Sequence, residues 1–460
     1  MTVKTTTYGP PRATAGLIMA AVMIVAPTAP AQAQQRDTAQ IPPGVELETR
    51  YSVSGRRAVA VRPFAGPIPL AGAIGQISGI VTQDLSLSDR YQMFPVPADL
   101  QTPGPVDYQA WNSLNLEFLV TGEITPTADG FLVDVVVHDV VFGREHRRGT
   151  YALPATGAPG FRMAVHAVSD EIVQWISDQP GMAATRVAFT RYNEDQTYDL
   201  LIVDSDGENL RRILGGASQL QSPVWAPDGR RIAYTVSEPD GWRLIERNLV
   251  TGRNTTVATG SELFLTPAYS PDGTKLAYSV WLPGGLEIME ADLAGDGSPR
   301  RVTDSGGDNM APTYSADGRR LAFLSTRTGQ NHIYMANTDG SGARQLTPPG
   351  RNVEFHGPDW SPLSNRVVFH GSARGPYQIM ISDADRPTLQ VRQLTSTGWN
   401  EDPSWAPDGR HVVYSGAGAQ SDGLYVIDTV TGTIRLLARG AKLRTADWSW
   451  SMAGSALSTR

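Results

Sequence analysis

The chain has no cysteine among its 460 residues, which rules out a disulfide framework, thiol nucleophiles and cysteine-held metals. Positive charge is also short. Its 39 Lys and Arg stand against 46 Asp and Glu, so no nucleic-acid partner is expected. Beyond the N-terminal stretch no run approaches the ~18 uninterrupted apolar residues that a spanning helix needs. Local patterns of several catalysts are missing as well. No serine has glycine both two before and two after it, so the nucleophile elbow is absent. The histidines at 138, 146, 166, 332, 356, 370 and 411 are scattered and form no His-Glu-x-x-His pattern. Asp204-Ser-Asp-Gly-Glu-Asn209 opens like a calcium loop but has Gly215 where the closing glutamate belongs, and is read as a turn. The segment Ala71-Gly-Ala-Ile-Gly75 lacks both the phosphate-loop lysine and the dinucleotide spacing, and is read as a helix entry. No cofactor and no metal site are expected, and an enzyme is not the first reading.

What is present is a repeat. Ser222-Pro-Val-Trp-Ala-Pro-Asp-Gly229 returns as Thr266-Pro-Ala-Tyr-Ser-Pro-Asp-Gly273, Ala311-Pro-Thr-Tyr-Ser-Ala-Asp-Gly318, Gly357-Pro-Asp-Trp-Ser-Pro-Leu-Ser364 and Asp402-Pro-Ser-Trp-Ala-Pro-Asp-Gly409. A worn sixth copy is Thr445-Ala-Asp-Trp-Ser-Trp450. The aromatic anchors Trp225, Tyr269, Tyr314, Trp360, Trp405 and Trp448 lie 44, 45, 46, 45 and 43 residues apart, the period of a four-stranded propeller blade. In each copy the first proline is expected at a strand start, where no ladder donor is needed. The aromatic should pack between blades, and Pro-Asp-Gly should turn the chain with Gly at positive φ. Apolar β-rich runs follow, such as Arg231-Ile-Ala-Tyr-Thr235 and His411-Val-Val-Tyr-Ser415. Second, third and outer strands each number six, but first strands begin only with the second blade. Their sixth member, Ala446 to Trp450, should therefore join the blade begun at 186 and close the ring.

Ahead of the repeats the chain divides three ways. Residues 1–33 carry Lys4 and Arg12, the apolar run Ala15 to Val25 and the small residues Ala31-Gln-Ala33, as a secretory leader cleaved between Ala33 and Gln34 does. Its loss would take the net charge from −7 to −9. Residues 34–50 form a polar, proline-broken tail. Within it Val45, Glu46, Leu47, Glu48 and Thr49 alternate enough to add a strand to another protein's sheet. From 51 to 180 strands (Arg57 to Val61, Glu117 to Gly122, Phe131 to His138) interleave with helices (Ile74 to Leu87, Phe161 to Ile176). The expected fold is thus a small N-terminal α/β domain followed, over 181–460, by an all-β six-bladed propeller. A monomer is expected.

The loops that feed the first strands must converge at one mouth of the central channel. They supply Leu263, Phe264, Thr266, Asp308, Asn309, Met310, Glu354, Phe355, His356, Asn400, Glu401 and Arg444, mixing apolar anchors with carboxylates and amides as protein interfaces do.

The aromatic-Ser-Pro-Asp-Gly repeats after a leader and an α/β domain, with Arg62-Pro-Phe64 and the ending Trp448-Ser-Trp450, resemble the TolB family. Its members are periplasmic components of the Tol-Pal system of Gram-negative bacteria, with WD40-like repeats of the PD40 type. The resemblance implies a non-catalytic periplasmic hub. Its mouth, here the twelve residues just named, would bind the outer-membrane lipoprotein Pal. Its tail, here Val45 to Thr49, would engage TolA, in support of outer-membrane integrity and constriction at cell division. Three features depart from the family pattern: Leu263 and Met310 where polar residues are common, Leu363-Ser364 in place of Asp-Gly, and Pro42-Pro43 in the tail. The competing expectation is a propeller that binds a small ligand, or acts as a hydrolase or lyase, in its channel, with Glu354 and His356 its most suggestive pair.

Overall fold

The structure, a computed structural model, describes residues 55–295, 298–349, 353–372, 375–386, 391–417 and 421–453. The expectations for the leader, its cleavage after Ala33 at Gln34, and the tail at Val45, Glu46, Leu47, Glu48 and Thr49 lie outside the described residues.

The N-terminal part runs β1 (Arg57–Val61), α1 (Ala71–Leu87), β2 (Tyr91–Met93), α2 (Tyr108–Ser113), β3 (Phe118–Pro126), β4 (Gly130–Asp139), β5 (Arg144–Pro154) and α3 (Phe161–Ser177). The five strands form one sheet in the order β2-β1-β3-β4-β5, parallel around β1 and antiparallel from β3 onward. Strand alternation explains the two layers. Val59 and Val61 of β1 bury with Ile77 and Val81 of α1 and Val165 and Ile172 of α3, while Ala58 and Ala60 face Trp111 of α2. Helix α3 is stopped by Asp178, whose left-handed backbone (φ 54) lets its N–H return to Gln174 O.

The propeller follows as six four-stranded sheets. In blade 1 the strands Arg186–Tyr192, Tyr198–Asp204 and Arg211–Ala217 are joined by the C-terminal strand Leu443–Trp448. Blades 2 to 6 begin with the first strands Gln219–Trp225, Phe264–Tyr269, Asn309–Tyr314, Glu354–Trp360 and Trp399–Trp405. Each aromatic anchor packs on the blade before it: Trp225 meets Ile202, Tyr314 meets Ile288, Trp360 meets Met335 and Trp405 meets Ile381. The choice between Tyr and Trp follows the third strand of that preceding blade. Where Glu246 and Glu290 stand, the anchors are Tyr269 and Tyr314, whose hydroxyls donate to them at 2.7 and 2.8 Å. Where Ile202, Met335, Ile381 and Val426 stand at the equivalent register, the anchors are Trp225, Trp360, Trp405 and Trp448. A buried phenol needs an acceptor, whereas an indole meets an apolar wall with more surface.

The first proline does not start the strand. Pro223, Pro267, Pro312, Pro358 and Pro403 lie inside the first strands, at β-bulges where the register with the second strand slips. The bulge leaves a residue unpaired, so the missing N–H costs no ladder bond. The sequence pattern hid the short β2 and α2 and, more consequentially, the long strand β5. It is a sheet edge whose first half, Arg144 to Arg148, is charged and mostly exposed, so its only apolar signal is Tyr151 and Leu153.

Candidate functional site: the propeller mouth and channel

The six bulges place one residue each around the channel: Ser222, Thr266, Ala311, Gly357, Asp402 and Thr445, all with φ between 46 and 53. Left-handed backbone costs on the order of 1–2 kcal/mol at a non-glycine residue. The channel wall offsets it by capturing the freed N–H groups. Ala311 N donates to Thr266 Oγ1 and Ser279 Oγ, both at 3.1 Å, Asp402 N to His370 Nδ1 at 3.2 Å, and Thr445 N to Asp402 Oδ2 at 3.0 Å. Gly357 is the glycine of the set for a steric reason. A Cβ there would lie 3.1 Å from the His370 ring, and His370 fills a position held by Thr190, Thr235, Ser279 and Ser415 in other blades.

A second ring lies deeper in the channel. Thr313 Oγ1 accepts from Trp360 N at 3.2 Å, Asp359 Oδ2 from Trp405 N at 2.7 Å, Ser404 Oγ from Trp448 N at 3.1 Å and Asp447 Oδ2 from Trp225 N at 2.7 Å. These bonds tie each blade to the next, and Val224 and Ala268 interrupt the ring. The two carboxyls border a cavity of about 210 Å³. Burial pushes Asp359 up to about 6; burial and then the charge of Asp359 push Asp447 well above the ordinary range.

At the mouth the predicted residues sort into two kinds. Phe264, Asn309, Phe355 and Asn400 are buried and build the mouth rather than line it, a correction to their reading as partner-facing. Phe355 packs edge-on against Phe369. Asn309 donates to Glu287 and Gly307 O, and Asn400 to Gln378 and Thr397 O. Asp308 also positions, accepting from Leu286 N at 2.9 Å while its own N–H reaches Thr326 Oγ1. Leu263, Thr266, Met310 and His356 are half-buried, and Glu354 and Arg444 are exposed, with Arg444 paired to the half-buried Glu401. Burial holds Glu401 above its ordinary value, partly offset by Arg444.

Several mouth groups were not foreseen. Trp399, half exposed, meets Tyr377 edge-on at 5.8 Å, and Tyr377 meets the parallel rings of His356 and His370 at 5.4 and 5.1 Å. The Tyr377 hydroxyl donates to Glu354 at 3.2 Å. Trp281, also half exposed, stands at the second-to-third-strand turn, which opens on the same face. The departure of His370 from the Thr/Ser column was a signal available in the sequence. Burial lowers both imidazoles, His370 to about 4, so they are neutral at pH 7. Nδ1 of His370 is held as an acceptor by a backbone N–H, a positioning role rather than a general base aimed at a nucleophile.

A family model for the TolB β-propeller domain matches residues 173–453. The chain belongs to the TolB family. A second model, the TolB amino-terminal domain, matches residues 45–146. The Tol-Pal system protein TolB of Methylococcus capsulatus is 33% identical over 224 residues, 46% of this chain and 50% of the relative. That of Actinobacillus succinogenes is 31% identical over 221 residues, 46% of this chain and 51% of the relative. The chain thus spans about half the length of the curated relatives it matches. The crystal structure of TolB from Acinetobacter baumannii superposes with a TM-score of 0.75 at 26% identity, covering 86% of this chain and 96% of that one. As in the TolB β-propeller family, the repeats here form the ring, and the α/β domain precedes it. Among the described residues no helix is long and apolar enough to cross a membrane.

Proposed function

We propose that this chain is the propeller component of a Tol-Pal system, an exported binding hub that acts by recognition rather than catalysis. After loss of residues 1–33 it would work in the periplasm as a monomer, with a tail at 34–50, an α/β domain to about 180 and the propeller beyond. The mouth receives the lipoprotein Pal, and Val45 to Thr49 engage TolA. The observation that supports this most is the mouth itself, where exposed Trp399 packs on Tyr377, whose hydroxyl reaches the exposed Glu354, with the Arg444–Glu401 pair on the same rim. Large aromatic anchors rimmed by charge are the composition of protein–protein hot spots.

Calorimetric titration of residues 34–460 with the soluble domain of Pal from the same organism tests the reading. Binding should weaken at least tenfold in Trp399→Ala with Arg444→Glu, neither of which holds the core. A second titration, with TolA, compares this protein with one starting at Tyr51. Equal TolA binding by the two would remove the tail from the proposal. If neither partner binds the folded chain, the competing reading of a small ligand in the channel becomes the one to pursue.

A further inference from the structure

The face of the propeller opposite the mouth carries two histidines with the same unusual surroundings. Both belong to the contact between the α/β domain and the ring. His166 of α3 is fully buried, with Nδ1 2.8 Å from Asp84 Oδ2 of α1 and Nε2 3.6 Å from Asp206 Oδ2 of blade 1. Asp84 also accepts from Ser169, and Asp206 from Arg162. His411 of blade 6 mirrors it: fully buried, Nδ1 2.7 Å from Asp408 Oδ2, Nε2 3.5 Å from Asp89 Oδ2 just after α1. Here Asp408 takes Arg90 at 3.3 Å, and Asp428 takes Arg410 at 2.5 Å. Neither Nε2 has a hydrogen-bond partner. In each case one ring nitrogen is fixed by a carboxylate of its own side and the other is aimed at a carboxylate across the contact.

Charge balance says what the rings carry. Besides these five aspartates, Asp204 pairs with Arg186 at 3.0 Å, and Asp170, with its carboxylate on Ala183 N and Ala184 N, borders the same small cavity as Arg435. Asp84, Asp89, Asp170, Asp204, Asp206, Asp408 and Asp428 thus face Arg90, Arg162, Arg186, Arg410 and Arg435. The exposed Arg211 stands outside at the rim. With Asp170 ionised the carboxylates exceed the guanidiniums by two, and with it protonated by one; uncompensated buried charge is costly. In either state the cluster needs positive charge that only the two imidazoles are placed to supply. A divalent cation fits less well, since one carboxylate of each group is already held by a guanidinium, Asp206 by Arg162 and Asp428 by Arg410.

We propose that His166 and His411 form a paired, proton-dependent clamp that seats the α/β domain on the propeller and loosens when the rings lose their protons. The direction is consistent. Burial alone would lower each ring, but Asp84, Asp206 and Asp204 outweigh it at His166, and Asp408, Asp89 and Asp428 outweigh it at His411, so both are held above the ordinary value. A raised histidine contributes its stabilisation fully below its unperturbed pKa and loses it as pH rises through the raised value. Asp170, pushed up to about 7 by burial, loses stability as pH climbs from the ordinary carboxylate value through 7, a lower window that acts in the same direction.

The test is amide hydrogen exchange on the full chain at about pH 6 and about pH 9, corrected for the intrinsic rate. Protection of the C-terminal turn of α1 and of residues 204–209 should fall at least tenfold at the higher pH, while the first strands of blades 3 and 4 stay protected. His166→Gln with His411→Gln should show the weaker protection at both pH values. Equal junction protection in the unmodified chain at both pH values, or an unchanged pH response in the double variant, overturns the clamp. Should the variant not fold, nitrogen chemical shifts of the two rings in the unmodified chain decide. Charged rings at about pH 7 support the clamp, and neutral rings at that pH overturn it.

Discussion

The two faces of the propeller spend charge differently. At the mouth, Arg444 pairs with Glu401 and is about half exposed, and Glu354 lies open to solvent. Such pairs are screened, and each can be lost at little cost. On the opposite face Asp408 and Asp428 are buried, and each is held by a guanidinium. Buried charge persists only in a matched network, so that face is committed to one neighbour. The mouth is free to meet another molecule. Between the two, the anchors of the ring form a wall whose polarity is settled blade by blade.

The comparison can be broken first where charge is buried. Asp408→Ala should cost about 3–5 kcal/mol at pH 7, because it strands His411 and Arg90; urea unfolding measures it. The aspartate is held down to about 2, with burial opposing and His411 leading the causes that lower it. Its contribution is therefore complete above the ordinary carboxylate pKa and disappears as pH falls toward 2. A smaller effect is expected in the wall. Glu290→Met leaves the Tyr314 hydroxyl without its acceptor and should cost about 1–3 kcal/mol. Adding Tyr314→Trp, the anchor used opposite Met335, should recover part of that loss in a double-mutant cycle.

The channel carboxyls sharpen the contrast by pH. Asp359 is raised by burial to about 6, so the ring is favoured while it is protonated and loses stability as pH climbs from the ordinary carboxylate value through 6. Asp359→Asn should flatten thermal stability across that window, and an unchanged slope would show that Asp359 is not its source. At the mouth the smallest change in stability is expected. Arg444→Ala should alter it by about 0–1 kcal/mol while lowering Pal affinity in the titration, which separates the open face from the committed one.

Part of this arrangement was legible in the chain. The column of anchors gave the blade count, and the Asp-Gly pairs gave the turns, with Gly229, Gly273, Gly318 and Gly409 all at positive φ. Helices α1 and α3 followed from apolar spacing. The residues named for the mouth lie at and just before the starts of the first strands, where Phe264, Asn309, Phe355 and Asn400 turn inward. Sequence supplies a loop's composition, not the direction in which each side chain leaves a bulged strand. His411 had left a trace, since the other second strands begin with Arg or Lys at Arg186, Arg231, Lys275, Arg320 and Arg366. His166 left none, because Asp84 and Asp206 lie 82 and 40 residues away from it in the chain.

By itself the sequence determined a repeating unit, its number and the small domain ahead of it, because those rest on local turn chemistry and on apolar periodicity. Only the tertiary structure decided which carboxylates meet which cations, where the prolines fall in their strands and which aromatic faces water. The pairings and exposures depend on which side chains from distant blades the closed ring brings within a few ångströms, and the prolines on where each bulge falls, and no local pattern encodes either.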